Sequence, residues 1–163
     1  MLDTAEWQAV GFSLGITELV PRDAETSVVG HLGPDLLGPD CDAAEAARRL
    51  LADPTIPVFV ALQEQRNLAG IGNEYANELY FLRGLAPSRP IGEVHDVEGM
   101  LALARRLLRA NRERPIRSTT GALRPGRTSW VYGRAGLPCR RCGTPIKPER
   151  GERFCNDLSL PRC

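Results

Sequence analysis

The sequence predicts a mostly α-helical fold, flanked by a short β segment at the N-terminus and a small cysteine-rich β-hairpin at the C-terminus. Four segments with helical apolar periodicity between residues 42 and 110 predict the helices. Short β-favouring runs occur within the first 30 residues, and four of the five cysteines lie in the last 25. The 163 residues can form one domain with a real core or two small ones.

The β segment comes first along the chain. Trp7 to Leu14 and Ile16 to Val20 are β-favouring runs separated by Gly15, and Val28–Val29 is a candidate for a third strand. These runs resemble the tail of a sheet whose other strands are not in this chain. The stretch 32–40 is rich in glycine and proline, so we expect it to be a linker.

Two helices are expected next. Asp42 is placed to cap a helix over 43–52, whose apolar side carries Ala46, Leu50 and Leu51. Pro57 suits the start of a second helix, because its fixed φ is compatible with the first turn. Four apolar residues of this helix are expected to be largely buried: Val58, Phe59, Val60 and Leu62.

Two further helices complete the predicted core. A helix over 73–83 ends at Gly84 and has apolar positions at Tyr75, Ala76, Leu79 and Phe81. A helix over 97–110 contributes five core positions: Met100, Leu101, Leu103, Leu107 and Leu108. Its arginines, which reach solvent or a partner, are Arg105, Arg106 and Arg109. Residues 111–127 are predicted to form a loop, and residues 129–132 a short strand.

The formal net charge of +1 conceals an asymmetry along the chain. Residues 1–60 carry ten acidic residues and three arginines, whereas residues 101–150 carry twelve arginines, one lysine and two acids. Arginine presents a planar set of donors that suits phosphate oxygens. The basic half therefore favours a polyanion, most simply nucleic acid, over a solvated basic surface that has no partner.

No targeting or membrane segment is recognisable. No apolar run approaches the roughly 20 residues that span a bilayer, and the first residues lack the basic and apolar regions of a secretory signal. We therefore expect a cytoplasmic protein with no membrane partner. His31 and His95 lie in predicted loops far from the cysteine cluster, and we interpret both as surface residues.

A Gly-x-Gly turn precedes the third helix. Gly70 and Gly72 let the backbone pass close to another surface. The helix that begins near Asn73 then directs its unpaired N–H groups and its positive dipole end at that surface, which suits a phosphate. The alternative is that the two glycines only make a tight turn.

The cysteines favour a metal site. Cys41 stands alone in an acidic stretch and is expected to be an inert thiol. Cys139, Cys142, Cys155 and Cys163 have the spacing C-x₂-C-x₁₂-C-x₇-C, and without a secretory signal such a cluster favours metal over disulfides. Thiolates bind Zn²⁺ tetrahedrally, and a C-x₂-C turn offers two of them. We predict one structural Zn²⁺ held by these four, with free or oxidised thiols as the alternative.

Two segments resemble a known family. Residues 65–78, QRNLAGIGNEYANE, resemble the helix–two-turn–helix signature of the formamidopyrimidine-DNA glycosylase / endonuclease VIII family. Residues 131–146, VYGRAGLPCRRCGTPI, are similar to the start of that family's zinc finger. Together the two motifs imply a match over about residues 30–163, with a zinc β-hairpin at its end.

The resemblance implies a domain organisation and a DNA contact. Residues 1–30 would be a remnant of the family's N-terminal β-sandwich domain, 31–127 a helix–two-turn–helix DNA-binding domain, and 128–163 a zinc finger. It also implies that Asn73, beside Gly72, contacts a DNA phosphate. The alternative for Asn73 is a helix cap, and the two roles can coexist.

The second half of the cysteine pattern departs from the family. The family's finger ends in another C-x₂-C pair, whereas Leu160 stands where the third cysteine is expected and Cys155 is the candidate replacement. In the family, an arginine five or six residues before the third cysteine contacts DNA phosphates. Counting from Cys155 selects Arg150, which we favour, and counting from Leu160 selects Arg153. The alternative for either arginine is a solvated surface charge.

The family's catalytic residues have no counterpart in this sequence. The family's nucleophile is an N-terminal proline amine followed by a glutamate, and Leu2 and Asp3 occupy those places. We therefore expect the damaged-DNA-binding module of a base-excision-repair DNA glycosylase/AP lyase that lacks its catalytic domain. Its partner would be double-stranded DNA containing oxidised bases or abasic sites, and we expect a DNA-associated monomer. The alternative is a stand-alone zinc-containing nucleic-acid-binding or interaction module without repair activity.

Overall fold

The computed structural model of the chain describes residues 1–12, 17–39, 41–150 and 157–160, with the backbone alone at 149–150 and 157–160. The chain divides into two compact units, Met1–His31 and Leu32–Cys163. Among the described residues, no helix is long and apolar enough to cross a membrane.

The first unit is a small hairpin followed by a short helix. Strand β1 (Leu2–Asp3) pairs antiparallel with β2 (Gln8–Ala9), and a 3-10 helix at Arg22–Ala24 leads into helix α1 (Glu25–Val29). The prediction of a third strand at Val28–Val29 is therefore wrong, since both residues lie in α1. β-Branched residues favour strands where neighbouring strands pack against them, and among the described residues no strand pairs with these two. Residues 17–20 form no strand, and Ser13–Ile16 lie outside the described residues.

The second unit contains the four predicted helices. They are α2 (Ala43–Leu50), α3 (Val58–Gln63), α4 (Asn73–Leu82) and α5 (Val97–Asn111). The predicted cap of α2 is confirmed, because the Asp42 carboxylate accepts hydrogen bonds from the N–H groups of Ala44 (2.9 Å) and Glu45 (3.0 Å). Gly84, at φ +66°, follows the end of α4 as predicted.

The hydrophobic core lies where these helices pack together, α2 on α5, α3 on α4 and α4 on α5. Of the four apolar residues expected to be buried in α3, Val58 and Leu62 are buried, and Phe59 and Val60 are half-buried. The largest side chains that are fully enclosed include Leu36, Leu50, Leu62, Leu68, Ile71, Leu79, Tyr80 and Met100. His31 and His95 are exposed, as predicted.

Residues 32–40 are not the simple linker that their composition predicts. Leu36 is 1% exposed and belongs to the core. The N–H of Gly33 donates to the carbonyl of Gln65 (2.8 Å), and the N–H of Ala69 donates to the carbonyl of Pro34 (3.1 Å). A buried leucine and two backbone hydrogen bonds therefore attach this segment to the turn before α4.

The last described elements form a hairpin. Strand β3 (Lys147–Arg150) pairs antiparallel with β4 (Asp157–Leu160), so that Lys147 faces Leu160 and Arg150 faces Asp157. Helix α4 lies next to β4. Residues 112–127 form neither helix nor strand, as expected for a loop. The strand expected at 129–132 is absent. The N–H groups of residues 130–132 instead donate to the buried carboxylate of Glu78 in α4.

Candidate nucleic-acid interface

Gln65 holds the glycine turn that precedes α4. Its side-chain oxygen accepts from the N–H of Gly70 (3.0 Å), and its side-chain amide donates to the carbonyl of Ile71 (2.7 Å). Gly70 has φ +86°, a conformation that L side chains rarely adopt. Ile71 is fully buried, so the turn is fixed on its inner side while Gly72 is exposed.

The N-terminus of α4 is uncapped. Gly72 is the N-cap residue, so the interpretation of Asn73 as the cap is wrong, and Asn73 is instead the first residue of the helix. In the part of the chain that the structure describes, no side-chain cap bonds to the first N–H groups, which have no acceptor within the helix. The side-chain oxygen of Asn73 accepts from the amide of Asn77 (2.9 Å), and among the described residues no acceptor is found for its own NH₂ group.

A cation lies next to this N-terminus. The Arg117 guanidinium is 3.4 Å from the Glu74 carboxylate in the first turn of α4. Burial, and secondarily the charge of Glu74, raise the pKa of Tyr75 in the same turn. The sequence does not predict this position of Arg117, because the residue is distant from α4 along the chain and no local motif connects the two. The side chain of Arg117 is 61% exposed, so it remains accessible to an anion.

Glu78 connects α4 to the segment that leads into the cysteines. Its carboxylate is completely buried and accepts from the N–H groups of Trp130 (2.8 Å), Val131 (2.8 Å) and Tyr132 (2.9 Å), and from the Thr119 hydroxyl. In a strand, successive N–H groups point to opposite sides. Three successive groups that converge on one carboxylate therefore cannot form the strand predicted at 129–132.

The first cysteine pair lies in one tight turn. The N–H of Cys139 donates to the carbonyl of Thr144 (2.8 Å), and the N–H of Gly143, at φ +78°, donates to the carbonyl of Cys139 (2.9 Å). The N–H of Arg141 lies 3.4 Å from the Cys139 sulfur. Cys155 and Cys163 lie outside the described residues, and the residues that are described contain no cluster of three metal-ligating side chains.

Part of the arginine surplus has a structural role. Arg134 is buried and donates to the carbonyls of Trp130 (2.6 Å) and Pro138 (2.8 Å), and burial lowers its pKa. The guanidinium of Arg141 stacks over Phe81 at 4.5 Å from the ring centre. Among the predicted phosphate-binding arginines, Arg150 lies in β3 without a described side chain, and Arg153 lies outside the described residues.

Curated proteins similar in sequence include a DNA-(apurinic or apyrimidinic site) lyase, endonucleases and formamidopyrimidine-DNA glycosylases. The chain is 50% identical over 151 residues to the DNA-(apurinic or apyrimidinic site) lyase Nei2 of Mycolicibacterium smegmatis, covering 93% of the chain and 60% of that protein. It is 50% identical over 139 residues to endonuclease 8 2 of Mycobacterium tuberculosis, covering 85% and 54%. No protein-family model matches the chain.

Solved structures show the same fold. MutM (Fpg) from Thermus thermophilus superposes with a TM-score of 0.65 at 26% identity, over 83% of this chain and 54% of that one. Lactococcus lactis Fpg in complex with abasic-site DNA gives a TM-score of 0.66 at 21% identity, over 87% and 55%. The chain spans between 53% and 60% of the length of curated relatives that are 50% identical to it. In sequence and in fold, the chain is therefore similar to a part of the endonuclease 8 and formamidopyrimidine-DNA glycosylase proteins.

Proposed function

We propose that this chain is the damaged-DNA-binding part of a base-excision-repair DNA glycosylase/AP lyase. The observation that carries the proposal is the N-terminus of α4, where Gly72 is exposed and no side chain caps the helix. A carbon added at Gly72 would meet nothing within 4 Å, so a phosphate can approach the backbone closely there. The names of the relatives, which include an AP lyase, agree with this function.

The proposed contact at this helix combines three kinds of donor. The unpaired N–H groups and the helix dipole attract a phosphate oxygen. The Asn73 amide adds a neutral hydrogen bond, because Asn77 holds the other end of its side chain. Such contacts position a duplex without reading its sequence. A base removed from duplex DNA must first leave the stack, so firm binding of the flanking backbone supports that step.

We further propose one structural Zn²⁺ held by Cys139, Cys142, Cys155 and Cys163. The turn that contains the first pair supports this assignment, because the Arg141 N–H approaches the Cys139 sulfur as a donor to a thiolate does. The metal would cross-link the turn that contains Cys139 and Cys142 to Cys155, between β3 and β4 in the sequence, and to Cys163, which follows β4. Arg150, at the end of β3, would then be held where it can contact a second phosphate.

DNA binding at several salt concentrations tests the proposal. The ligand is a short duplex that contains an abasic-site analogue, and the readout is fluorescence anisotropy. Arg150→Ala should weaken binding and flatten the log–log salt slope by about 0.9, the value for one lost ionic phosphate contact. Asn73→Ala removes a neutral contact, so it should weaken binding about tenfold with little change in slope.

Arg48→Ala is the matched control, because Arg48 is an exposed arginine whose ion-pair partner among the described residues is Glu45 on its own helix. It should leave affinity and slope close to those of the parent chain. The proposed DNA-binding surface is wrong if neither Asn73→Ala nor Arg150→Ala weakens binding, or if Arg48→Ala weakens it as much as they do.

A further inference from the structure

Glu78 is a buried charged side chain with no role in the proposed phosphate contacts. It lies in α4 one turn beyond the phosphate-binding end, and its exposed fraction is 0%. One carboxylate oxygen accepts from the Thr119 hydroxyl and the Trp130 N–H, and the other accepts from the N–H groups of Val131 and Tyr132. A buried carboxylate is costly unless its oxygens are satisfied, and these four donors satisfy it.

Three of the four donors to Glu78 are backbone N–H groups at the start of the cysteine module, which we define as residues 130–150, and the fourth is the hydroxyl of Thr119. Among the described residues, the buried apolar contact between this module and α4 is small. Phe81 packs with Val131, Cys139 and Ile146 in a cluster separate from the main core, with Leu82 and Trp130 partly buried beside it. Apolar contact is non-directional, so four side chains can hold the module close without fixing its orientation. Charge-assisted hydrogen bonds to three consecutive N–H groups do fix it.

We propose that Glu78 is a positioning residue that orients the cysteine module on α4, so that the DNA contacts of the helix and of the module engage one duplex together. The inference rests on the proposed DNA-binding function and names the group that couples its two halves. Two contacts held at a fixed separation bind more tightly than the same contacts on a loose tether, because the second then forms at a high effective concentration.

Glu78→Gln is the diagnostic variant. It keeps the size of the side chain but replaces one acceptor oxygen by an NH₂ group that faces two donors. Glu45→Gln, which removes the same charge from an ion-paired glutamate on α2, is the matched control. If Glu78→Gln does not fold, Thr119→Val removes only the hydroxyl donor and takes its place. Hydrogen exchange of the amides at 130–132 is measured alongside DNA binding.

A double-mutant cycle gives the decisive result. In the parent chain, Arg150→Ala should flatten the salt slope by about 0.9. In the Glu78→Gln background this effect should largely disappear, because the module no longer meets the duplex in register, whereas Asn73→Ala should keep its full effect. Exchange at 130–132 should become faster in Glu78→Gln, and Glu45→Gln should behave as the parent chain.

The opposite results overturn the inference. Glu78 does not position the module if Arg150→Ala has the same effect in both backgrounds, or if exchange at 130–132 is unchanged in Glu78→Gln. A different result tests the proposed function: if neither Asn73→Ala nor Arg150→Ala weakens binding by the parent chain, the proposed DNA surface fails. The exchange measurement then decides alone whether Glu78 orients the module.

Discussion

Gly70 and Gly72 stand two residues apart and are glycines for different reasons. Gly70 has φ +86°, where an L side chain is strained even though a carbon added there would meet nothing within 4 Å. Gly72 has φ −100° and ψ −176°, an extended conformation that any residue adopts. The backbone therefore requires glycine at the first position only, and close approach of a phosphate is the proposed reason for the second.

Alanine substitutions should separate these two reasons. Gly70→Ala should lower the free energy of unfolding by about 1–2 kcal/mol, the cost of a left-handed conformation for an L residue. Gly72→Ala should leave that free energy within about 0.5 kcal/mol of the parent chain, since its methyl group meets no protein atom. Gly72→Ala should nevertheless weaken DNA binding. Urea unfolding and anisotropy measure the two effects, and unchanged DNA binding by Gly72→Ala would remove Gly72 from the proposed site.

At the scale of elements, α4 connects the parts of the second unit. Its N-terminus forms the proposed phosphate site, and Leu79 and Tyr80 enter the main core. Glu78 and Phe81 hold the cysteine module. Seven of the ten residues of α4 are buried, so its position is fixed by contacts on several sides. A helix held in this way can present its free N-terminal groups in one orientation, which anion binding requires.

Helix α2 provides a test of how the helices are packed. Its sequence places Leu50 and Leu51 on one apolar side, but Leu50 is 0% exposed and Leu51 is 40% exposed. Leu50→Ala should lower the free energy of unfolding by about 2–5 kcal/mol, because it leaves a cavity between α2 and α5. Leu51→Ala is the matched control and should cost less than about 1 kcal/mol. Equal losses in urea unfolding would mean that the packing of α2 described above is wrong.

At the scale of the whole molecule, the second unit has two separate apolar clusters. The main core is formed by α2 to α5 with Leu36, Leu68 and Ile71, and the small cluster supports the cysteine turn. The small cluster has only four buried members among the described residues, too few to hold a hairpin by apolar burial alone. The proposed Zn²⁺ would supply the remaining stabilisation, as metals do in small domains.

Removal of the metal should therefore unfold the module and spare the helices. Metal analysis of purified protein should find one zinc per chain. A strong chelator should change the fluorescence of Trp130, which packs beside the small cluster, while the helical circular dichroism signal stays near its starting value. Trp7, 78% exposed in the other unit, should contribute a constant background. Absence of zinc with all four thiols of the cysteine cluster titratable in addition to Cys41, or loss of the helical signal together with the change in fluorescence, would contradict this prediction.

The amino-acid sequence by itself determined the elements whose signals are local. Apolar periodicity located α2 to α5, Asp42 and Gly84 marked two helix ends, and the two motifs indicated the relatives to which the chain is similar. These features depend on residues within a few positions of one another, so a single sequence displays them.

Only the tertiary structure decided how distant segments meet. Leu36 enters the core, Arg117 reaches the start of α4, and Glu78 gathers the N–H groups of 130–132, although no periodicity links these positions to their partners. The errors have the same origin: Val28–Val29 has strand propensity but no neighbouring strand, and residues 129–132 satisfy their N–H groups on a side chain instead of a ladder. Where a backbone finds its hydrogen bonds is a property of the folded chain, because the acceptor can lie far away in sequence.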